Sequence, residues 1–174
     1  MMSGFKPEFE VLNIALAAEG ESLKRYLHFA WETDDFTGKN MFIRLAMDEL
    51  MHQELIKRVF DQYLTRGECL PVEVPPSIIE QLIPKISEKN LLIKGKQGQS
   101  ALEALLTAQE LENKARRFYT EQAEKAEPEP LRALFRRLAE MEQAHLELIQ
   151  AEIDSIQQTG FWLGFQEFTL EANP

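Results

Sequence analysis

Residues 42–56 read F-I-R-L-A-M-D-E-L-M-H-Q-E-L-I, and residues 135–149 read F-R-R-L-A-E-M-E-Q-A-H-L-E-L-I. Nine of these fifteen positions are identical. Each copy carries Glu-x-x-His, as Glu49/His52 and Glu142/His145. On a helix, positions i and i+3 share a face. A carboxylate and an imidazole on one face, set among apolar neighbours, call for a partner that repays their burial.

The offset between the copies, 142 − 49 = 93 residues, extends beyond them. It carries Leu12 onto Leu105, Ala15 onto Ala108, Glu19 onto Glu112 and Tyr26 onto Tyr119. Each half of the chain therefore holds Glu-x6-Tyr and, 30 residues after that Glu, Glu-x-x-His. Seven residues of helix turn through about 700°, roughly 20° short of two full turns. Glu19 and Tyr26 thus lie on one stripe with Leu12, Leu16 and Leu23, and Glu112 and Tyr119 lie on another. Four glutamates directed into an apolar interior would repel one another and protonate unless cations lay between them. Two divalent cations would balance four carboxylates, with one neutral histidine for each ion. Oxygen-rich ligands with one imidazole per metal suit iron or manganese. One Glu from each of two helices and Glu-x-x-His from each of two others is the ligand pattern of di-iron carboxylate bundles.

The remaining sequence supplies the helices. Apolar spacing predicts a first helix over 8–32, broken by T-D-D-F-T-G-K-N at 33–40, and a second from about 40 to about 65. Pro71, Pro75, Pro76 and Pro84 exclude a continuous helix through 66–99, which reads as a crossover. Within it, Ser77-x-x-Glu80 has the form of a capping box for a short helix to about residue 88. Ser100-x-x-Glu103 opens a third helix, 101–126. Pro130 suits the first turn of a fourth, running to about 158 with Gly160 at its end. The tail 161–172, rich in Phe, Trp and Leu, is expected to form a short docking helix, and no strand is expected anywhere. The expectation is an all-α, single-domain four-helix bundle over 1–174 with one long crossover between helices two and three.

Composition narrows the function. A net charge of −10 argues against a nucleic-acid partner. No stretch is apolar for long enough to span a membrane. The first ten residues lack the apolar run of a signal peptide, and Cys69 is the sole cysteine. A cytoplasmic protein without internal disulfide or four-cysteine metal site is expected.

The segments E-G-E-S-L-K-R-Y (19–26), L-A-M-D-E-L-M-H (45–52), E-N-K-A-R-R-F-Y (112–119) and L-A-E-M-E-Q-A-H (138–145) together resemble the rubrerythrin family of the ferritin-like superfamily. The resemblance implies Glu19, Glu49, His52, Glu112, Glu142 and His145 as ligands of two iron ions, with manganese or zinc as alternatives. Glu49 and Glu142 would bridge the ions. Tyr26 and Tyr119 would stand behind the ligands at the catalytic centre, hydrogen-bonded to carboxylates across the bundle. It implies reduction of peroxide or O2, oxidation of ferrous iron, or both, with iron handling without turnover as the alternative. The chain departs from the family in two ways. It has no four-cysteine rubredoxin module, so electrons would come from the iron itself or from a separate donor protein. It also has Ala115 where peroxidase members carry a seventh carboxylate. Glu110 competes with Glu112 as the helix-three ligand, the 93-residue offset favouring Glu112. His28, Glu54 and Glu147 read as surface groups, with Arg44 and Arg137 as ion-pair partners of the last two. A homodimer is expected, and the long crossover permits exchange of helices between chains.

Overall fold

A computed structural model describes residues 7–82, 92–96 and 99–164. Its elements are α1 (Pro7–Glu32), α2 (Phe36–Arg66), β1 (Leu92–Lys96), α3 (Gln99–Lys125), α4 (Glu129–Thr159) and β2 (Phe161–Gly164). The helices form two antiparallel hairpins, α1 with α2 and α3 with α4, packed against each other as a four-helix bundle.

Local chemistry explains the helix ends. The polar stretch after α1 interrupts the chain more briefly than its composition suggests, because Asp35 caps α2. Its Oδ1 accepts the Thr37 and Gly38 amides at 2.8 and 3.2 Å, so the helix starts at Phe36 rather than near 40. Gly67 and Gly160 end α2 and α4 in the left-handed conformation, at φ 72° and 77°. Each donates its amide to a carbonyl four residues back. The Ser77–Glu80 capping box forms: the Ser77 amide donates to Glu80 Oε2 at 2.8 Å, and the Glu80 amide to Ser77 Oγ at 3.0 Å. What it closes is a turn through residue 82, and the rest of the helix expected to about 88 falls outside the described residues.

Two expectations are corrected. The chain does contain strands, and residues 161–164 are one of them instead of the start of a docking helix. β1 and β2 pair antiparallel, Leu92 opposite Gly164 and Lys94 opposite Trp162. The remainder of the tail, 165–172, lies outside the described residues. Trp162 explains why a strand wins here. Its indole is fully buried, lies edge-on to Phe42 at 5.8 Å, and rests on Gly38. A Cβ at Gly38 would come within 2.3 Å of the indole ring. The glycine that reads as a helix breaker is thus a seat for the tail.

The apolar core falls into two clusters. One gathers Tyr26, Phe42, Leu45, Ala108, Leu148 and Trp162. The other gathers Leu12, Ile56, Tyr119, Phe135 and Leu138. On each helix the glutamate or Glu-x-x-His pair falls between residues of the two clusters: Glu19 between Ala15 and Tyr26, Glu49 and His52 between Ala46 and Leu55, Glu112 between Ala108 and Tyr119, Glu142 and His145 between Leu138 and Leu148. A polar layer therefore crosses the bundle where the hydrophobic packing is interrupted.

Glu152, seven residues beyond His145, is buried among the apolar groups and accepts the Leu163 amide at 2.9 Å. Burial, reinforced by the charge of Asp35 and only partly offset by that hydrogen bond, pushes its carboxyl up to about 8 from an ordinary 4.5. A proton held more tightly folded than unfolded gives stability that is complete below about pH 4.5 and lost as pH rises toward 8. Between pH 5 and 8 the wild type should therefore lose on the order of a few kcal/mol more than Glu152→Gln. Urea denaturation of both proteins across that range measures the difference, and parallel curves would contradict it.

Candidate metal centre

The offset of 93 residues becomes an approximate two-fold relation between the hairpins, with the six repeated residues at its centre. Glu19, Glu49, Glu112 and Glu142 are each no more than 2% exposed, and His52 and His145 are fully buried. Glu110 is exposed, whereas Glu112 is buried within the cluster. Two sets of ligating atoms form, each with all atoms within 4.8 Å of one another: Glu19, Glu49, His52 and Glu142, and Glu49, Glu112, Glu142 and His145. Glu49 and Glu142 belong to both.

His52 Nδ1 lies 3.3 Å from Glu19 Oε2, 3.7 Å from Glu49 Oε2 and 3.2 Å from Glu142 Oε1. His145 Nδ1 lies 3.3 Å from Glu112 Oε2, 3.3 Å from Glu49 Oε1 and 3.2 Å from Glu142 Oε2. The two rings are nearly parallel, 5.4 Å apart at 11°. Neither Glu142 oxygen, nor Glu49 Oε1, is in hydrogen-bond geometry with any partner, although all are buried. Each imidazole hydrogen-bonds one carboxyl, His52 with Glu19 and His145 with Glu112, while Glu49 and Glu142 aim unpartnered oxygens into the space between them. Six groups so arranged could hold metal.

The tyrosines cross between the hairpins. Tyr26 of α1 donates to Glu112 Oε1 on α3, and Tyr119 of α3 donates to Glu19 Oε1 on α1. Each phenol stacks on a phenylalanine of its own cluster, Tyr26 on Phe42 and Tyr119 on Phe135.

Electrostatics divide the carboxyls into pairs. Burial pushes Glu19 and Glu112 well up, and the charges of Glu49 and Glu142 add to it. Burial acts likewise on Glu49 and Glu142, but nearby imidazoles and protonated carboxyls overcome it and hold both below the usual value. Burial would lower the imidazoles, yet Glu142 and Glu19 beside His52, and Glu112 beside His145, raise both well above theirs. Burial and the adjacent carboxylates push both phenols up, so they stay protonated donors.

The comparisons with known proteins bear on the second hairpin first. Residues 103–168 match the Rubrerythrin family model. That span takes in Glu112, Glu142 and His145, and the internal repeat relates Glu19, Glu49 and His52 to them. The bundle is also similar to a solved hypothetical protein from Pyrococcus furiosus, with a TM-score of 0.65 over 90% of this chain and 94% of that one. The identity is 23%, so this likeness speaks for the fold. No curated protein matches the chain. The rubrerythrin match agrees with the resemblance carried by the four motifs.

The surface groups fall where the helical wheel puts them, with some exchanges of partner. His28 is exposed and pairs with Glu32 at 3.5 Å, and Glu54 and Glu147 are exposed. Arg137 pairs with Glu80 of the crossover and with Glu140, while Glu147 accepts from Gln143. Two buried acids escaped the sequence reading, Glu152 and Asp48. Asp48, 1% exposed, places Oδ2 3.3 Å from His145 Nε2. Burial would raise its carboxyl, but the His145 ring, the Ile79 amide and the Ser77 hydroxyl hold it below the usual value. The repeat concealed it, because the equivalent position, 48 + 93, is Met141. Its signal was a lone acid among the apolar residues of α2, directly before Glu49. Among the described residues no helix is long and apolar enough to cross a membrane.

Removing a phenolic donor leaves a buried carboxyl oxygen without its partner. Tyr26→Phe and Tyr119→Phe should each lower the unfolding free energy by about 1–3 kcal/mol, and by similar amounts, given their equivalent positions. Chemical denaturation checks this, and two neutral substitutions would mean the phenols serve as packing alone.

Proposed function

We propose that the chain is a non-haem di-iron oxidoreductase that reduces hydrogen peroxide or O2, oxidising ferrous iron as it does so. The observation that carries this reading is the pair of overlapping ligand sets that share Glu49 and Glu142. Glu19 and His52 would complete one position, and Glu112 and His145 the other. The donor set, oxygen-rich with one imidazole at each position and no thiolate, suits iron or manganese better than copper(I). When bound, a ferrous pair supplies two electrons, which with two protons reduce one hydrogen peroxide to two waters.

The protein's contribution is placement and exclusion. The four helices fix the carboxylates, the two tyrosines hold Glu19 and Glu112 from behind, and the flanking apolar clusters keep bulk water from the layer. Ligation requires deprotonated carboxyls and neutral imidazoles. Glu19, Glu112, His52 and His145 all hold protons tightly without metal. Loading therefore releases protons and weakens as pH falls.

A second reading, iron binding and transfer without turnover, is favoured by two features of the chain. Ala115 stands where a seventh carboxylate would be, and the lone cysteine offers no internal electron-delivery site.

Anaerobic titration with ferrous iron should give about two ions per chain, with acidification of a weakly buffered solution. Adding hydrogen peroxide should then remove that iron from reaction with a ferrous chelator. Continued peroxide consumption in the presence of a reductant supports the enzyme, and a single oxidation event supports iron handling. Bound ferrous iron inert to both peroxide and O2 would overturn the oxidoreductase reading.

A further inference from the structure

The cage repeats across the two hairpins, but what stands behind its histidines does not. His145 turns Nδ1 toward Glu49, Glu112 and Glu142, and its Nε2 meets Asp48 Oδ2 at 3.3 Å. The same carboxylate receives the Ile78 amide on Oδ1 at 3.0 Å and the Ile79 amide on Oδ2 at 3.2 Å. Those amides belong to the crossover turn closed by Ser77 and Glu80, and Arg137 of α4 grips Glu80. Asp48 thus anchors the crossover turn through both oxygens and, independently of Glu80, faces the ring through Oδ2. His52 also turns Nδ1 into the cage. Its Nε2 is buried, and among the described residues it has no hydrogen-bond partner. At the register of Asp48 the second repeat has the thioether of Met141.

We infer that Asp48 is a positioning residue that makes the two metal positions unequal. This rests on the metal-binding reading above and adds to it an order of filling. By accepting the Nε2 proton, the Asp48 carboxylate fixes the tautomer and angle of His145, leaving the Nδ1 lone pair directed into the cage. A carboxylate behind a ligating imidazole typically changes metal affinity by about 10–100-fold. The position served by His145 therefore fills first and holds its ion more tightly. The position served by His52, with no such support, fills second and is the one from which an ion leaves.

Cobalt(II) titration of the full chain against a competing chelator, followed by cobalt absorbance, reads both affinities. The wild type should bind in two steps separated by about 10–100-fold. Asp48→Asn should weaken the tighter step by a similar factor and leave the weaker one unchanged. Glu80→Ala opens the capping box and frees Arg137 without touching His145, so it should preserve both steps. If Glu80→Ala reproduced the effect of Asp48→Asn, Asp48 would merely anchor the crossover and the inference would be overturned. Equal steps in the wild type, or unchanged steps in Asp48→Asn, would also overturn it. A wild type that bound no cobalt would overturn the metal-binding reading together with it. Should Asp48→Asn fail to fold, the zinc-loaded wild type decides through its histidine-ring NMR spectrum. One downfield, slowly exchanging Nε2 proton supports the inference, and its absence contradicts it.

Discussion

The structure depends on one constraint: four carboxyls and two imidazoles share a space that water does not reach. Left ionised and unpaired, such groups would cost more than the surrounding hydrophobic packing could offset. The chain meets this with shifted proton affinities. Without metal, Glu19, Glu112, His52 and His145 hold protons more tightly than in water, and Glu49 and Glu142 beside them hold theirs less tightly. In the proposed holoprotein, two divalent ions would balance the four carboxylates. Much else in the fold serves the layer. The tyrosines cross between hairpins because Glu112 and Glu19 each need a donor on the side away from the cage. The core divides because no apolar side chain can occupy the layer itself.

The departures from two-fold symmetry are equally informative. The first hairpin has Asp48 where the second has Met141, and the crossover turn docks on that aspartate. The tail strand lies against α4 and α2, where Trp162 uses the space left by Gly38. Repetition built the cage, and the segments outside the repeat distinguish its two halves. In the proposed holoprotein, such a division would give the two metal positions unequal surroundings.

The helices and the cage were legible in the sequence because both are written twice at one spacing. Glu112 was chosen over Glu110 by that spacing, and burial agrees. The Ser77–Glu80 box was legible because its chemistry is local. What escaped was non-local. Asp48 gains its meaning from His145, 97 residues away, and from amides of the crossover. The β1–β2 pairing joins residues some seventy apart, and neither segment alternates strongly enough to announce a strand. Gly38 reads as a breaker until Trp162 is seen against it.

Anomalous diffraction from crystals of the manganese- or iron-loaded protein tests the central claim most directly. The account predicts two peaks about 3.5–4 Å apart, both between Glu49 and Glu142, one beside His52 and the other beside His145. A single peak, or metal bound away from the polar layer, would contradict it.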